Sequence, residues 1–204
     1  MIPDRESLTR QIIDAGRFLY ARGWSPATSS NYSARLSETQ ALLTVSGKHK
    51  GELTPDDLLA TDMAGASLEP GKRPSAETLL HTQLYSTDAR IHAVLHTHSV
   101  NATVLSRVTE GGQLVFEDYE LQKAFSGIST HQSQVVVPIF ENDQDIARLA
   151  SQVQPWLNAN PGCVGYLIRG HGLYTWGASM QDALRQVEAF EFLFECELRL
   201  RALR

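Results

Sequence analysis

Cysteine is scarce in this sequence. Only Cys163 and Cys196 occur among its 204 residues, whereas small secreted domains that depend on disulfides carry several spaced pairs. A disulfide framework is therefore excluded. We predict that both cysteines are buried as small hydrophobic residues and that neither binds a metal.

The sequence also lacks an excess of basic residues and long apolar runs. The net charge is −5 and the estimated pI is about 5.8, which excludes the broad basic surface of a nucleic-acid binder. No stretch approaches the roughly 18 apolar residues that cross a bilayer, and the first 16 residues are polar, without the apolar core of a signal peptide. We therefore expect a cytoplasmic protein without nucleic-acid or membrane partners.

The composition is that of a globular protein. Hydrophobic residues make up 42% of the chain and charged residues 20%, and no like-charge block indicates a disordered tail. A length of 204 residues suffices for one hydrophobic core and is short for two ordinary domains. We predict a single domain over residues 1–204.

Apolar spacing and turn residues predict alternating helices and strands. Ser7 begins a predicted helix over 7–22, and an antiparallel strand pair covers 31–37 and 40–47. Ser75 is the predicted N-cap of the next helix, and Pro138 places its strand at a sheet edge or strand end. Further helices are predicted over 101–107, 143–157 and 179–203, and further strands over 91–100, 135–140 and 163–177, the last broken at Gly-His-Gly. Without a regular βαβ rhythm, the pattern favours one mixed or antiparallel sheet flanked by helices, an α/β fold of the α+β type.

Three histidines form the strongest chemical signal. His96 and His98 are two positions apart on a predicted strand, so their imidazoles point to the same face. His171 lies between two glycines, which allow a sharp turn and a close approach to an ion. Catalytic zinc sites combine three protein ligands with one open position, so we predict a divalent metal site here. Neutral imidazoles also suit iron, nickel or cobalt, and His92 is a weaker fourth candidate.

The chain resembles the class II aldolase and adducin-head superfamily from its first helix to its last. The segments that carry the resemblance are TSSNYS, TVSGKHKG, RPSAE, AVLHTHSVNATVLS and RGHGLYTWG. The resemblance implies a three-layer fold, one zinc ion per subunit held by the three histidines, a small phosphorylated sugar as substrate, and homotetramers with active sites near the subunit contacts.

Two glutamates are candidates for the catalytic carboxylate. Within the superfamily, the YELQK segment and the short GHGLYTWG element are most similar to the dehydratases of methionine salvage, in which the glutamate matching Glu120 is the acid/base. That resemblance implies dehydration of 5-methylthioribulose 1-phosphate to 2,3-diketo-5-methylthiopentyl 1-phosphate through a metal-stabilised enolate. In the aldolases the catalytic carboxylate instead matches Glu77, so sugar-phosphate aldolase or 4-epimerase chemistry is the alternative. A non-enzymatic, adducin-like binding module is a third hypothesis.

The substrate phosphate requires its own contacts. A helix N-terminus at Ser75 offers a hydroxyl, free N–H groups and the positive end of the helix dipole. Positions that bind phosphate in the aldolases match Asn31, Ser46 and Gly47, and positive charge is expected from Lys48 or Lys123.

Overall fold

The computed structural model describes residues 3–203. Helices and strands follow each other in a mixed order along the chain. The helices are α1 (Arg5–Ala21), α2 (Thr78–Thr87), α3 (Val100–Val108), α4 (Ile146–Ala159) and α5 (Met180–Ala202). The strands are β1 (Asn31–Arg35), β2 (Gln40–Thr44), β3 (Leu58–Asp62), β4 (Ala93–Thr97), β5 (Gln113–Phe116), β6 (Val135–Phe140), β7 (Gly165–Ile168) and β8 (Gly172–Gly177). Short 3-10 turns cover Lys50–Glu52, Pro55–Asp57 and Glu120–Ala124.

Within residues 3–203 the strands form one eight-stranded sheet in the order β3-β2-β1-β4-β8-β7-β6-β5. Neighbouring strands are antiparallel except β6 and β7, which are parallel. The prediction of a single mixed sheet is confirmed. The antiparallel pairing of β1 with β2 and the hairpin of β7 and β8 across Gly-His-Gly are confirmed as well.

Helices cover both faces of the sheet because side chains alternate along each strand. In β4, Leu95 packs with residues of α1 and α5, whereas Val94 packs with residues of α2 and α4. In β7, Leu167 joins the cluster under α3 and α5, and Tyr166 faces the opposite layer. The fold therefore has three layers, with hydrophobic cores on both sides of the sheet.

The predicted starts of α1, α2 and α4 were wrong. The first helix begins at Arg5, because the Asp4 carboxylate accepts a hydrogen bond from the Ser7 backbone N–H at 2.8 Å and caps the helix. The second begins at Thr78, with Glu77 as the N-cap. Ser75 precedes it in a turn and accepts from Thr78 through its carbonyl oxygen. The helix α4 begins at Ile146 rather than at residue 143, because the Asp145 carboxylate accepts a hydrogen bond from the Arg148 backbone N–H at 3.1 Å and caps the helix.

Pro138 lies neither on an edge strand nor at the end of its strand, contrary to the prediction. Its strand lies between β5 and β7. The Ile139 N–H donates toward β5, to the carbonyl of Gly112, so the nitrogen of Pro138 points to the other side. Pairing with β7 begins only at Ile139, and the missing N–H therefore leaves no gap in the ladder.

Cys163 and Cys196 are free thiols and are half-buried rather than fully buried. Among the residues that the structure describes, no helix has both the length and the apolar character to span a bilayer.

Candidate metal centre

The three predicted histidines meet at one end of the central strands. His96 lies in β4, His98 follows its last residue, and His171 lies in the turn between β7 and β8. The Nε2 atom of His96 is 2.8 Å from Nε2 of His98 and 3.3 Å from Nε2 of His171. The predicted strand over 91–100 included His98, but β4 ends at Thr97, so His98 lies just outside the observed strand. The backbone N–H of His98 donates to the Trp24 carbonyl at 2.8 Å.

Glycine allows the two chain segments to approach each other this closely. A Cβ atom on Gly172 would lie 2.0 Å from the Thr97 carbonyl oxygen and 3.2 Å from the His96 ring. Gly170 has a φ of +63°, a conformation that other residues rarely adopt. The His96 ring stacks on Tyr174 with ring centres 4.1 Å apart. The strand pairing and the glycine turn therefore bring His171 to the pair on β4.

Hydrogen bonds of the other ring nitrogens determine the tautomers of two imidazoles. Nδ1 of His96 lies 3.0 Å from the carbonyl oxygen of Leu173, and a carbonyl only accepts, so Nδ1 carries the proton. Nδ1 of His171 lies 3.3 Å from Oδ1 of Asn142 and donates to it in the same way. Both Nε2 atoms therefore present lone pairs to each other, and a cation between them would remove this repulsion.

Burial keeps the imidazoles of the pair uncharged. Desolvation, followed by the neighbouring His98 and His171, lowers the pKa of His96 well below its usual value. Desolvation also lowers the pKa of His98 to about 4, with a smaller contribution from His171. A neutral imidazole is the form that binds metals, so neither ring has to lose a proton first.

The fourth member of the group is Glu77, not His92. Its Oε2 lies 3.4 Å from Nε2 of His96 and its Oε1 lies 3.3 Å from Nε2 of His171. One ligand atom from each of Glu77 and the three histidines lies within 4.8 Å of all the others. Three imidazole nitrogens and one carboxylate oxygen fit a divalent cation of the zinc type.

A cavity of about 350 Å³ opens beside this group. His98, His171 and Glu77 are among the residues that line it. Four of the residues predicted to contact phosphate line it as well, namely Asn31, Ser46, Gly47 and Ser75. The Asn31 Nδ2 donates to Oε2 of Glu77 at 2.7 Å and to Oγ of Ser75 at 3.3 Å. The structure thus brings the candidate metal ligands and these four residues around one space.

Three predicted site residues lie elsewhere. Lys48 is exposed and its Nζ is 2.8 Å from the Asp57 carboxylate. Lys123 forms an ion pair with Glu120, and Lys123 lowers the pKa of that glutamate. The Glu120 side chain is 72% exposed. None of these three residues is among the described residues that line the cavity.

Lys50 is the cation that the sequence analysis missed. It is 1% exposed and is the one lysine or arginine among the described residues that line the cavity. Its ammonium group donates to the carbonyls of Lys48 at 2.6 Å and Thr28 at 3.3 Å. Burial lowers its pKa to about 8. The two lysines of SGKHK have the same chemistry, and only the 3-10 turn that begins at Lys50 decides which one faces inward.

Comparison with known proteins finds similar sequences and a similar fold. A methylthioribulose-1-phosphate dehydratase from Pseudomonas savastanoi pv. phaseolicola is 80% identical over 198 residues, which cover 97% of each chain. The enzyme of that name from Azotobacter vinelandii is 77% identical over 203 residues, covering 100% of this chain and 98% of the other. A solved L-fuculose-1-phosphate aldolase from Thermus thermophilus has a TM-score of 0.78 at 26% identity, and the match covers 98% of this chain and 97% of the other.

The model of one protein family matches residues 10–198, and that span contains all four members of the histidine and glutamate group. The chain belongs to the family of the class II aldolase and adducin N-terminal domain.

Proposed function

We propose that this protein is a hydro-lyase that converts 5-methylthioribulose 1-phosphate to 2,3-diketo-5-methylthiopentyl 1-phosphate, with one zinc ion per subunit. The observation that carries the proposal is the convergence of three imidazole nitrogens on one point beside a polar cavity. Relatives at 77 to 80% identity over nearly the whole chain carry the name of this dehydratase, which supports the choice of substrate.

The reaction removes a proton from C3 and a hydroxyl group from C4 of a 2-keto sugar phosphate. The enol that results becomes the 2,3-diketone when C4 takes up a proton, so the net loss is one water. His96, His98 and His171 would hold the zinc ion. When bound, the ion supplies positive charge beside the substrate carbonyl, which stabilises the electron pair left by the C3 proton.

We assign phosphate binding to polar residues of the cavity lining. Ser75, Asn31 and the Ser46-Gly47 turn offer donors there, and Lys50 provides the positive charge that Lys48 and Lys123 do not bring to the cavity. A buried ammonium group held by two carbonyls keeps a third proton free for an anion. The net negative charge of the chain makes such a local cation necessary.

The acid/base role is assigned to Glu120, which would take the C3 proton and return a proton to the departing C4 oxygen. Glu120 is exposed and lies outside the cavity lining of its own chain. We therefore propose that it acts in the cavity of a neighbouring subunit of a homotetramer. Glu77 is the second carboxylate, beside the metal.

The surface next to the site supports a subunit contact. Helix α3 begins directly after His98 and Ser99, and Val100, Val104 and Val108 are exposed along one of its faces, with Val100 at 74%. These valines have the i, i+4, i+8 spacing of a single helical stripe. Exposed apolar stripes of this kind mark association surfaces.

Amide substitutions separate the two carboxylates. We expect Glu120→Gln to lower kcat by about a hundredfold or more while the zinc content stays unchanged, since an amide cannot transfer the proton. Glu77→Gln should be milder at saturating zinc, and Glu117→Gln, an exposed neighbour of Glu120, serves as the control. The measurement is loss of water from 5-methylthioribulose 1-phosphate, followed by mass spectrometry. Full activity of Glu120→Gln would contradict its role.

Mixed oligomers test whether the site is shared between subunits. Chains with Glu120→Gln and chains with His98→Ala are each expected to be inactive alone. Co-assembled, they combine an intact histidine group from one chain with an intact Glu120 from the other, and activity should reappear. Persistent inactivity of verified mixed oligomers would place Glu120 and the metal in the same chain.

Sugar-phosphate aldolase or 4-epimerase activity is the second candidate, favoured by the position of Glu77 within the metal-binding group. Cleavage of fuculose or rhamnulose phosphate to dihydroxyacetone phosphate, abolished by Glu77→Gln, would establish it over the dehydratase. An adducin-like binding role would require a protein without stoichiometric metal.

We further propose that residues 1–204 form one domain and that the protein acts in the cytoplasm.

A further inference from the structure

A chain of hydrogen bonds leads from the metal-site carboxylate into the core. The Asn31 Nδ2 donates to Oε2 of Glu77 at 2.7 Å, and the other end of that amide, Oδ1, is hydrogen-bonded to Nε2 of His81. Nδ1 of His81 lies 2.7 Å from Oγ of Ser33, which lies 2.7 Å from the hydroxyl of Tyr85. Five side chains are thereby linked end to end.

The Glu77 carboxylate determines which atom is the donor in each of these hydrogen bonds. An ionised carboxylate only accepts, so the atom of Asn31 that faces Glu77 must be the NH₂ group. The amide oxygen of Asn31 then faces His81, and Nε2 of His81 must carry the proton. Nδ1 of His81 in turn accepts from the Ser33 hydroxyl, which accepts from Tyr85.

His81 is placed to hold this arrangement. It is fully buried on α2, one turn after Glu77, and burial lowers its pKa to about 3, so the ring is neutral. Asn31 is the cross-strand neighbour of the candidate ligand His96 in the pairing of β1 with β4. The hydrogen-bonded side chains therefore join α2 to β1, and β1 pairs with β4 beside the metal site.

We propose that His81 is a positioning residue of the metal centre, because its Nε2–H holds the Asn31 amide with the NH₂ group toward Glu77. Without that donor, nothing fixes the oxygen end of the Asn31 amide, and the side chain can turn away so that Glu77 loses the hydrogen bond from Nδ2. Glu77 would then leave its position beside the imidazoles. The role in turnover rests on the proposed dehydratase function, whereas the role in metal binding does not.

Two amide variants of His81 provide a matched test. Glutamine places its side-chain nitrogen as far from Cβ as Nε2 of histidine, so His81→Gln can still donate to Asn31. Asparagine reaches only as far as Nδ1, so His81→Asn cannot. Thr82→Val, on the same helix and fully buried, controls for a polar deletion outside the chain of hydrogen bonds.

Zinc affinity, measured by competition titration, is the first readout. His81→Asn should weaken zinc binding by about tenfold or more, the usual effect of losing a group that orients a ligand, and His81→Gln and Thr82→Val should remain within about threefold of the wild type. The kcat of the dehydratase reaction should follow the same order. Equal zinc affinities for the asparagine and glutamine variants would overturn the proposal.

The tautomer of His81 is the second readout and needs no variant. Long-range ¹H–¹⁵N NMR spectra of the metal-free wild-type protein should show a proton on Nε2 of His81 and none on Nδ1. A proton on Nδ1 would overturn the proposal, even if His81→Asn fails to fold. A wild-type protein that binds zinc and shows this tautomer but does not dehydrate the substrate would contradict the proposed function alone.

Discussion

Glu191 provides a quantitative test of the electrostatics near the site. Its side chain is buried on α5, at 2% exposure. Oε2 accepts from Nδ2 of Asn101 at 3.5 Å, at the start of the helix that follows His98. Among residues 3–203, Oε1 has no hydrogen-bond partner. Burial raises the pKa of this carboxyl from its ordinary value of 4.5 to about 7.

The raised pKa of Glu191 destabilises the fold at alkaline pH. The folded chain keeps the proton to about pH 7, whereas the unfolded chain releases it near pH 4.5. The free energy of unfolding therefore falls as the pH rises through this interval, and the full cost is present above pH 7. At about 1.4 kcal/mol for each pH unit, that cost is about 3 kcal/mol.

Glu191→Gln removes the titrating group and keeps its shape. Urea unfolding at constant ionic strength should show the variant more stable than the wild type at pH 8, by about 2 kcal/mol more than at pH 5. Glu188→Gln, an exposed glutamate on the same helix, should show no such dependence. A Glu191→Gln advantage that is the same at both pH values would refute a raised pKa.

Three further outcomes follow from the site. Zinc binding between about pH 6 and 8 should release no proton from His98, because its pKa of about 4 leaves the ring neutral. Calorimetry in buffers of different ionisation enthalpy measures the protons released, with His98→Ala as the reference. A released proton that is assigned to His98 would contradict this prediction. Lys50→Met should raise the KM for the sugar phosphate by about tenfold or more, whereas Lys48→Met should change the KM by less than about twofold. Equal effects of the two substitutions would contradict the assignment of Lys50 to phosphate binding. Gly172→Ala should lower the free energy of unfolding by about 3 kcal/mol or more, because the new Cβ meets the neighbouring strand. Gly162→Ala, where the new Cβ has open space, should lower it by less than about 1 kcal/mol. A mild effect of both substitutions would contradict this packing.

Local sequence patterns were sufficient for much of the fold. Apolar alternation and helical spacing predicted the strand pair β1 and β2, the β7 and β8 hairpin and the long closing helix, because these patterns depend only on which side of an element faces the core. The same argument singled out His96 and His98, whose spacing places two imidazoles on one side. It also singled out His171, because glycines on both sides allow a turn that other residues would block.

Contacts between distant segments decided the rest. Lys48 and Lys50 have the same side chain and cannot be told apart by chemistry. Only the folded structure shows that backbone carbonyls accept hydrogen bonds from the ammonium group of Lys50. Glu77 joins the histidines because α2 packs beside β1 and β4, and His81 takes its role from the same packing. Secondary structure follows from neighbours along the chain, whereas the surroundings of a charged or titratable side chain depend on residues tens of positions away.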